Sequence, residues 1–271
     1  MTILVTGATG LVGTRLLPRL VEAGIDVRAL VREGKSLPAG VSPVAGDILD
    51  APSLGAAVAG VEAIVHLAGV LRTPDTKQIW DVNLEGTRNL IDAAKANAPA
   101  ARFIMASTSL VYNEDSPRPS LESDDVSPKR DYPASKVAAE KLLRESGLNW
   151  SVLRYGFVYG DDDGHIGQIP HIAQLLNLHP ANRLSMIHHR DIATVTKLAL
   201  QGTFDGHIVN TVDDAPMTIL ELSAIAGSPA APNAAPLTNP WSGVVDGAFA
   251  RGLGFTPEVR STYQAMQEDA L

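Results

Sequence analysis

The chain has 271 residues, 45% of them hydrophobic, a formal net charge of −8 and no cysteine. This is enough apolar content for one large or two small domains with a substantial core, while the missing cysteines exclude disulfides, thiolate metal sites and cysteine nucleophiles. An acidic balance without Lys/Arg runs argues against nucleic acid and against a polybasic membrane patch. Residues 2–6, 26–31, 61–66, 101–106 and 150–154 read as strands, and 11–23, 51–59, 76–97 and 133–146 as helices. This alternation predicts an α/β fold, a doubly wound sheet of parallel strands joined by right-handed crossovers, with ligands at the carboxyl ends of the strands. Beyond residue 155 the pattern weakens, leaving a helix over 190–201, a strand over 207–210 and a helix over 217–226. Ser228 to Pro240, rich in Pro and Ala, reads as an irregular loop. No run of about 18 apolar residues occurs and the N-terminus enters a strand directly, so a soluble, cytoplasmic protein is expected.

The first strand, Ile3-Leu4-Val5, opens into Thr6-Gly7-Ala8-Thr9-Gly10-Leu11-Val12-Gly13. Glycines at three-residue spacing between a strand and an amphipathic helix let the backbone turn tightly and approach a pyrophosphate, whose charge sits on the helix N-terminus. Gly7, Thr9, Gly10, Leu11, Val12 and Gly13 are therefore candidate cofactor-binding residues. Tyr132-Pro133-Ala134-Ser135-Lys136 places a phenol and an ammonium on one helix face. A nearby cation favours the phenolate, so the spacing predicts a Tyr132 pKa lowered from about 10, which suits a general acid or base.

With these motifs in order, the sequence resembles the extended short-chain dehydrogenase/reductase family, in its epimerase/dehydratase-like branch. Gly46-Asp47-Ile48 is similar to the family's adenine-side motif, Val65-His66-Leu67-Ala68-Gly69 to its fourth-strand motif and Asn83-Leu84-Glu85-Gly86-Thr87 to its asparagine-bearing helix. Ser107-Thr108-Ser109-Leu110-Val111-Tyr112 resembles the segment that supplies the catalytic Ser or Thr, which selects Thr108. Leu153-Arg154, Val158-Tyr159-Gly160 and His188-His189-Arg190-Asp191-Ile192-Ala193 resemble later family stretches.

The resemblance implies a Rossmann-type domain over 1–155 and a small substrate-binding lobe over 156–271, with segments returning to the sheet. It implies Thr108, Tyr132 and Lys136 as the catalytic set, the last two also touching the cofactor. Asp47, Ile48, Leu67, Ala68, Gly69 and Asn83 join the cofactor-binding residues, Asn83 either organising the site or buttressing the adjoining strand. The expected activity is NAD(P)-dependent hydride transfer on a small carbonyl or hydroxyl compound. The alternatives are a nucleotide-sugar epimerase or dehydratase with retained NAD, and a non-catalytic NAD(P) sensor.

Cofactor choice turns on the end of the second strand. An acid there would hold the ribose 2′-hydroxyl of NAD, whereas an Arg accommodates the 2′-phosphate of NADP. Val31 occupies the acidic position and Arg32 follows it, so NADP is favoured over NAD; the competing reading makes Glu33 the ribose ligand. Sugar-nucleotide members carry a diphosphate-binding Arg where Leu184 stands, beside Arg183, and the Pro after Leu-Arg is Tyr155 here. Both departures argue against a nucleotide sugar. His188, His189 and Asp191 read as capping and packing residues rather than a metal site. Asp161-Asp162-Asp163-Gly164 reads as a solvated turn, and His66 as a satisfied core histidine. The expected partners are a small-molecule substrate and no nucleic acid, membrane or metal, with a homodimer as a candidate assembly.

Overall fold

The computed structural model describes residues 1–32 and 34–271. The N-terminal part runs β1 (Thr2–Thr6), α1 (Leu11–Glu22), β2 (Asp26–Val31), β3 (Val41–Ala45), α2 (Ala51–Val58), β4 (Ala63–His66), α3 (Thr76–Trp80), a π-helical turn (Asp81–Glu85), α4 (Gly86–Asn97), β5 (Arg102–Thr108), a 3-10 turn (Ser109–Val111), α5 (Asp131–Arg144) and β6 (Asn149–Tyr155). The remainder comprises β7 (Phe157–Tyr159), α6 (His165–Leu175), β8 (Arg183–Leu184), β9 (Met186–His188), α7 (His189–Leu200), β10 (Ile208–Thr211), β11 (Met217–Thr218), α8 (Ile219–Ile225), α9 (Ala248–Gly252) and α10 (Thr262–Gln267).

Seven strands form one parallel sheet in the order β10-β6-β5-β4-β1-β2-β3. The alternation of side chains along a strand divides its core in two. Ile3 and Val5 of β1 join Leu16, Leu17 and Leu20 of α1 and Ile192 and Val195 of α7. Leu4, between them, joins Leu54 of α2, Leu90 of α4 and Leu143 of α5 on the opposite face. This is the doubly wound, Rossmann-type arrangement expected. The order steps from β1 outward to β2 on one side and β4 on the other, so a crevice opens at the carboxyl ends of these strands.

A third apolar cluster gathers Ile166 and Ile169 of α6, Leu222 of α8, Val259 and Ala265 outside the sheet. From the same stretch of chain β10 returns to the sheet edge beside β6. Among the described residues, no helix is long and apolar enough to cross a membrane.

Three differences from the sequence reading have physical causes. β3 was not expected because Pro43 interrupts its short run, and proline is tolerated here since β3 is an edge strand. The single helix expected over 76–97 is broken by the π-helical turn at residues 81–85, whose Asn83 side chain is fully buried. The elements β7, α6, β8, β9, β11, α9 and α10 are mostly too short for a periodicity, and α6 carries an internal Pro170. Ser228 to Pro240 contains no helix or strand, as expected.

Candidate active site

The glycine turn has no room for side chains where it matters. Gly7 has φ +70°, and a Cβ there would lie 2.6 Å from the Ala68 backbone nitrogen. A Cβ on Gly13 would strike the carbonyl oxygens of Gly7 and Ala8. Gly10 is the N-cap of α1 and supplies no side-chain cap, and the first turn holds no acid. The backbone N–H groups of Leu11, Val12 and Gly13 thus stand at a positive helix end where a pyrophosphate fits. Thr9 lies within the turn itself.

Against this turn packs the loop leaving β4. Leu67 donates its N–H to the Thr6 carbonyl at 3.2 Å and Ala68 to the Thr6 hydroxyl at 3.4 Å. His66 lies fully buried beneath, Nδ1 2.7 Å from Thr6 Oγ1 and Nε2 2.9 Å from Thr87 Oγ1. Thr87 spends its only hydroxyl proton on the Asn83 carbonyl at 2.7 Å. Nε2 must therefore donate, and with the ring kept neutral by burial Nδ1 accepts from the Thr6 hydroxyl, a single tautomer. Burial, with the Lys136 charge nearby, pushes its pKa down to about 3. His66 is the satisfied core histidine expected.

Asn83 holds the loop that follows β4. Its Oδ1 accepts from the Val70 N–H at 2.7 Å, and its Nδ2 donates to the Val70 carbonyl at 3.0 Å and to Ser135 Oγ at 3.0 Å. It therefore buttresses the loop after β4 and ties that loop to α5. Lys136 is 4% exposed on α5, and a Cβ placed on Gly69 would lie 3.9 Å from its Nζ. Thr108 ends β5, 8% exposed, and its hydroxyl accepts the Leu110 N–H at 3.2 Å.

α5 begins at Asp131, so Tyr132 and Lys136 share one face of its first turns, as their spacing predicts. The expected lowering of the Tyr132 pKa is corrected. Burial pushes the phenol up to about 12, with the hydrogen-bonding Thr108 hydroxyl pulling the other way. Tyr132 is thus a neutral phenol that can give a proton. Burial also lowers Lys136 to about 8, opposed by the carboxylate of Glu140 one turn further along α5.

That carboxylate belongs to a buried network which the sequence reading missed. Arg154 of β6 grips Glu140 in a fork, Nη2 to Oε2 at 2.7 Å and Nε to Oε1 at 3.2 Å, both side chains 3% exposed. Ser107 donates its hydroxyl to Glu140 Oε1. Arg154 Nη1 donates to the Tyr112 hydroxyl at 2.9 Å, and Tyr112 donates to Asn210 Oδ1 at 2.7 Å. The available signal was a charged Glu140 four residues beyond Lys136 on a buried helix face.

The remaining candidates are spread around the crevice. Arg32 follows the end of β2, exposed, and Glu33 lies outside the described residues. The Asp47 carboxylate accepts the Leu49 N–H at 2.9 Å, and Ile48 is buried against Gly86. Arg183 stacks over the Trp241 ring at 4.9 Å and reaches the Pro240 carbonyl at 3.4 Å, while Leu184 packs into the third cluster. His188 caps α7 as expected, accepting the Arg190 N–H at 3.1 Å, and Asp191 accepts the Glu258 N–H at 2.6 Å. Asp162 and Gly164 of the turn expected at Asp161 to Gly164 are exposed, but the solvated reading is corrected at Asp163, whose side chain is 1% exposed, accepting from His189 at 3.0 Å and from the His165 N–H at 2.8 Å. A carboxylate with that many donors is stable under cover.

The NAD dependent epimerase/dehydratase family matches residues 3–210. The chain belongs to this family, whose members are NAD-dependent enzymes. Over 174 residues it is 32% identical to 4-hydroxy-2-methyl-3-oxo-4-farnesyl-3,4-dihydroquinoline-1-oxide ketoreductase of Stigmatella aurantiaca, covering 60% of this chain and 52% of that protein. Over 181 residues it is 32% identical to a 3-beta-hydroxysteroid dehydrogenase of Mycolicibacterium neoaurum, covering 59% and 48%. The chain thus spans about half the length of these curated relatives. Its fold matches that of a short-chain dehydrogenase/reductase superfamily protein from Agrobacterium tumefaciens, solved with bound NAD, with a TM-score of 0.80, 26% identity and coverage of 99% and 95%.

Removing one partner of the buried Glu140–Arg154 pair leaves the other charged and unanswered, so Glu140→Gln is expected to cost about 3–5 kcal/mol. Adding Arg154→Met should recover much of that loss. Urea unfolding of the two single variants and the double variant measures the coupling.

Proposed function

We propose that this chain is an NADP(H)-dependent reductase of a small carbonyl compound, acting through Thr108, Tyr132 and Lys136. The observation that carries the reading is that half-buried Tyr132 and buried Lys136 share one face of α5, with Thr108 at the end of the adjoining β5; desolvation holds the Tyr132 phenol neutral, its pKa pushed up to about 12. Reduction of a carbonyl needs a proton donor at the oxygen, and the phenol carries its proton at neutral pH, ready to give it as that oxygen becomes a strongly basic alkoxide.

In the proposed arrangement the Thr108 hydroxyl donates a hydrogen bond to the substrate oxygen and Tyr132 delivers its proton there. Lys136 holds ribose hydroxyls while its charge eases the loss of the phenolic proton. Bound nicotinamide supplies the hydride. Gly7, Thr9, Gly10, Leu11, Val12 and Gly13 would receive the pyrophosphate, Asp47 and Ile48 the adenine side, and Leu67, Ala68, Gly69 and Asn83 the stretch toward the nicotinamide. The fit rests on the crowded glycines and the uncapped end of α1. Arg32 would take the 2′-phosphate. Residues 1–155 would serve mainly the cofactor and 156–271 mainly the substrate.

The relatives named as a ketoreductase and a hydroxysteroid dehydrogenase support net redox chemistry. Arg183, engaged with Trp241 and Pro240, gives little support to a nucleotide-diphosphate handle. Such a handle would lend an epimerase the remote binding energy needed to hold its intermediate.

Tyr132→Phe should abolish carbonyl-dependent consumption of NADPH while leaving cofactor affinity nearly unchanged, because it deletes the proton and keeps the ring. Absorbance of the reduced cofactor, followed with product stereochemistry, tests the reading. One NADPH consumed per product supports it; inversion of a sugar nucleotide with no net consumption assigns the chain to epimerisation.

A second outcome concerns pH. Lys136 is charged below about 8 and discharges above it, so kcat/KM for reduction should fall as pH rises through that region. A flat profile to pH 10 would remove Lys136 charge from the account.

Arg32→Ala should weaken NADP more than NAD in parallel fluorescence titrations. Equal cofactor affinities that the substitution leaves unaltered would refute the NADP preference.

A further inference from the structure

The loop after β4 continues from Gly69 through Val70 and Leu71 to Arg72. Its start is fixed by Asn83 and lies beside the Lys136 ammonium. Three residues of chain span at most about 11 Å, so the Arg72 backbone lies within that reach of Gly69, which adjoins the Lys136 ammonium. Its guanidinium donates to the side-chain oxygen of Gln168 on α6. The buried residues of α6, Ile166 and Ile169, belong to the third apolar cluster, so this hydrogen bond crosses from the sheet side of the crevice to the lobe side.

A guanidinium presents a planar fork of donors that matches a carboxylate. Arg19, Arg102, Arg118, Arg190 and Arg251 each meet one, whereas Arg15, Arg28 and Arg183 bond to backbone carbonyls. Among the described residues Arg72 meets only a neutral amide. Two leucines of the segments that leave β4 and β5 stand open, Leu71, the chain neighbour of Arg72, at 43% and Leu110 at 39% exposure. Single exposed leucines are ordinary, but these two leave the same edge of the neighbouring strands β4 and β5. Leu110 also bonds directly to Thr108. A cation and exposed apolar side chains carried by the segments that follow two neighbouring strands match a monoanion with a hydrocarbon body.

Building on the reductase reading, we propose that Arg72 is a specificity-determining residue that takes the carboxylate of an apolar oxo acid, whose hydrocarbon body covers Leu71 and Leu110. The carboxylate displaces Gln168 from the guanidinium, and the carbonyl meets Thr108 and Tyr132.

The test titrates decanoate and 1-decanol into the NADP⁺-saturated protein by calorimetry. Decanoate should bind about tenfold more tightly, the scale of one charge-assisted hydrogen bond. Arg72→Gln should erase that difference, Arg72→Lys should retain part of it, and Leu110→Asn should weaken both probes. Equal binding, no binding of either probe, or a decanoate preference that survives Arg72→Gln overturns the proposal. NADPH consumption separates it from the reading beneath. A decanoate preference lost in Arg72→Gln, with no carbonyl compound reduced, keeps the anion site and removes the reductase. Neutral ketones reduced as well as oxo acids, and equally by Arg72→Gln, keep the reductase and remove the anion site.

Discussion

The buried ion pair between Glu140 and Arg154 holds the site together. Two charges withdrawn from water are costly unless each meets well-placed partners, and here they do: Ser107, Arg154 and Tyr112 leave little of either group unanswered. Because the pair joins α5 to β6, with β5 entering through Ser107, it fixes the helix carrying Tyr132 and Lys136 against the strand ending in Thr108. The same carboxylate opposes the loss of charge that burial imposes on Lys136. One interaction therefore serves both the geometry and the electrostatics of the proposed chemistry.

A second set of buried polar contacts works from the other side. Thr6, His66, Thr87 and Asn83 form a chain in which each hydroxyl or ring proton has one destination, so the imidazole is locked as a neutral donor–acceptor. This chain joins the glycine turn to the loop after β4 and to the π-helical turn. Ser135 then carries the connection across to α5. The crevice is lined by backbone that these side chains hold in place.

The patterns legible in the sequence were local. Gly7, Gly10 and Gly13 are separated by three residues and Tyr132 from Lys136 by four, so a single turn or helix face displays each pattern. β1 was readable for the same reason, as the apolar run Ile3-Leu4-Val5 that opens into the glycine turn. The features that escaped depended on the distant chain. Tyr112 finds Asn210 across 98 residues, and Asp163 is covered by His189, 26 residues on, so neither partner nor burial shows in a short window. The Tyr132 pKa was misjudged likewise: the spacing disclosed Lys136, while the desolvation that raises the phenol arises only on folding. β3 was hidden by Pro43, which an edge position excuses.

The π-helical turn at Asp81 to Glu85 has a consequence for how this chain can vary. It holds one residue more than an α-helical path would need, and that residue sets the direction in which Asn83 points. Deleting any one of the five would let an unbroken helix run from α3 into α4, yet rotate α3 by about 100° relative to α4. Asn83 would then swing off Val70 and Ser135. The segment can exchange side chains on its outer surface, but its length is as fixed as a catalytic residue, and a helix that looks improved would come at the cost of an open crevice.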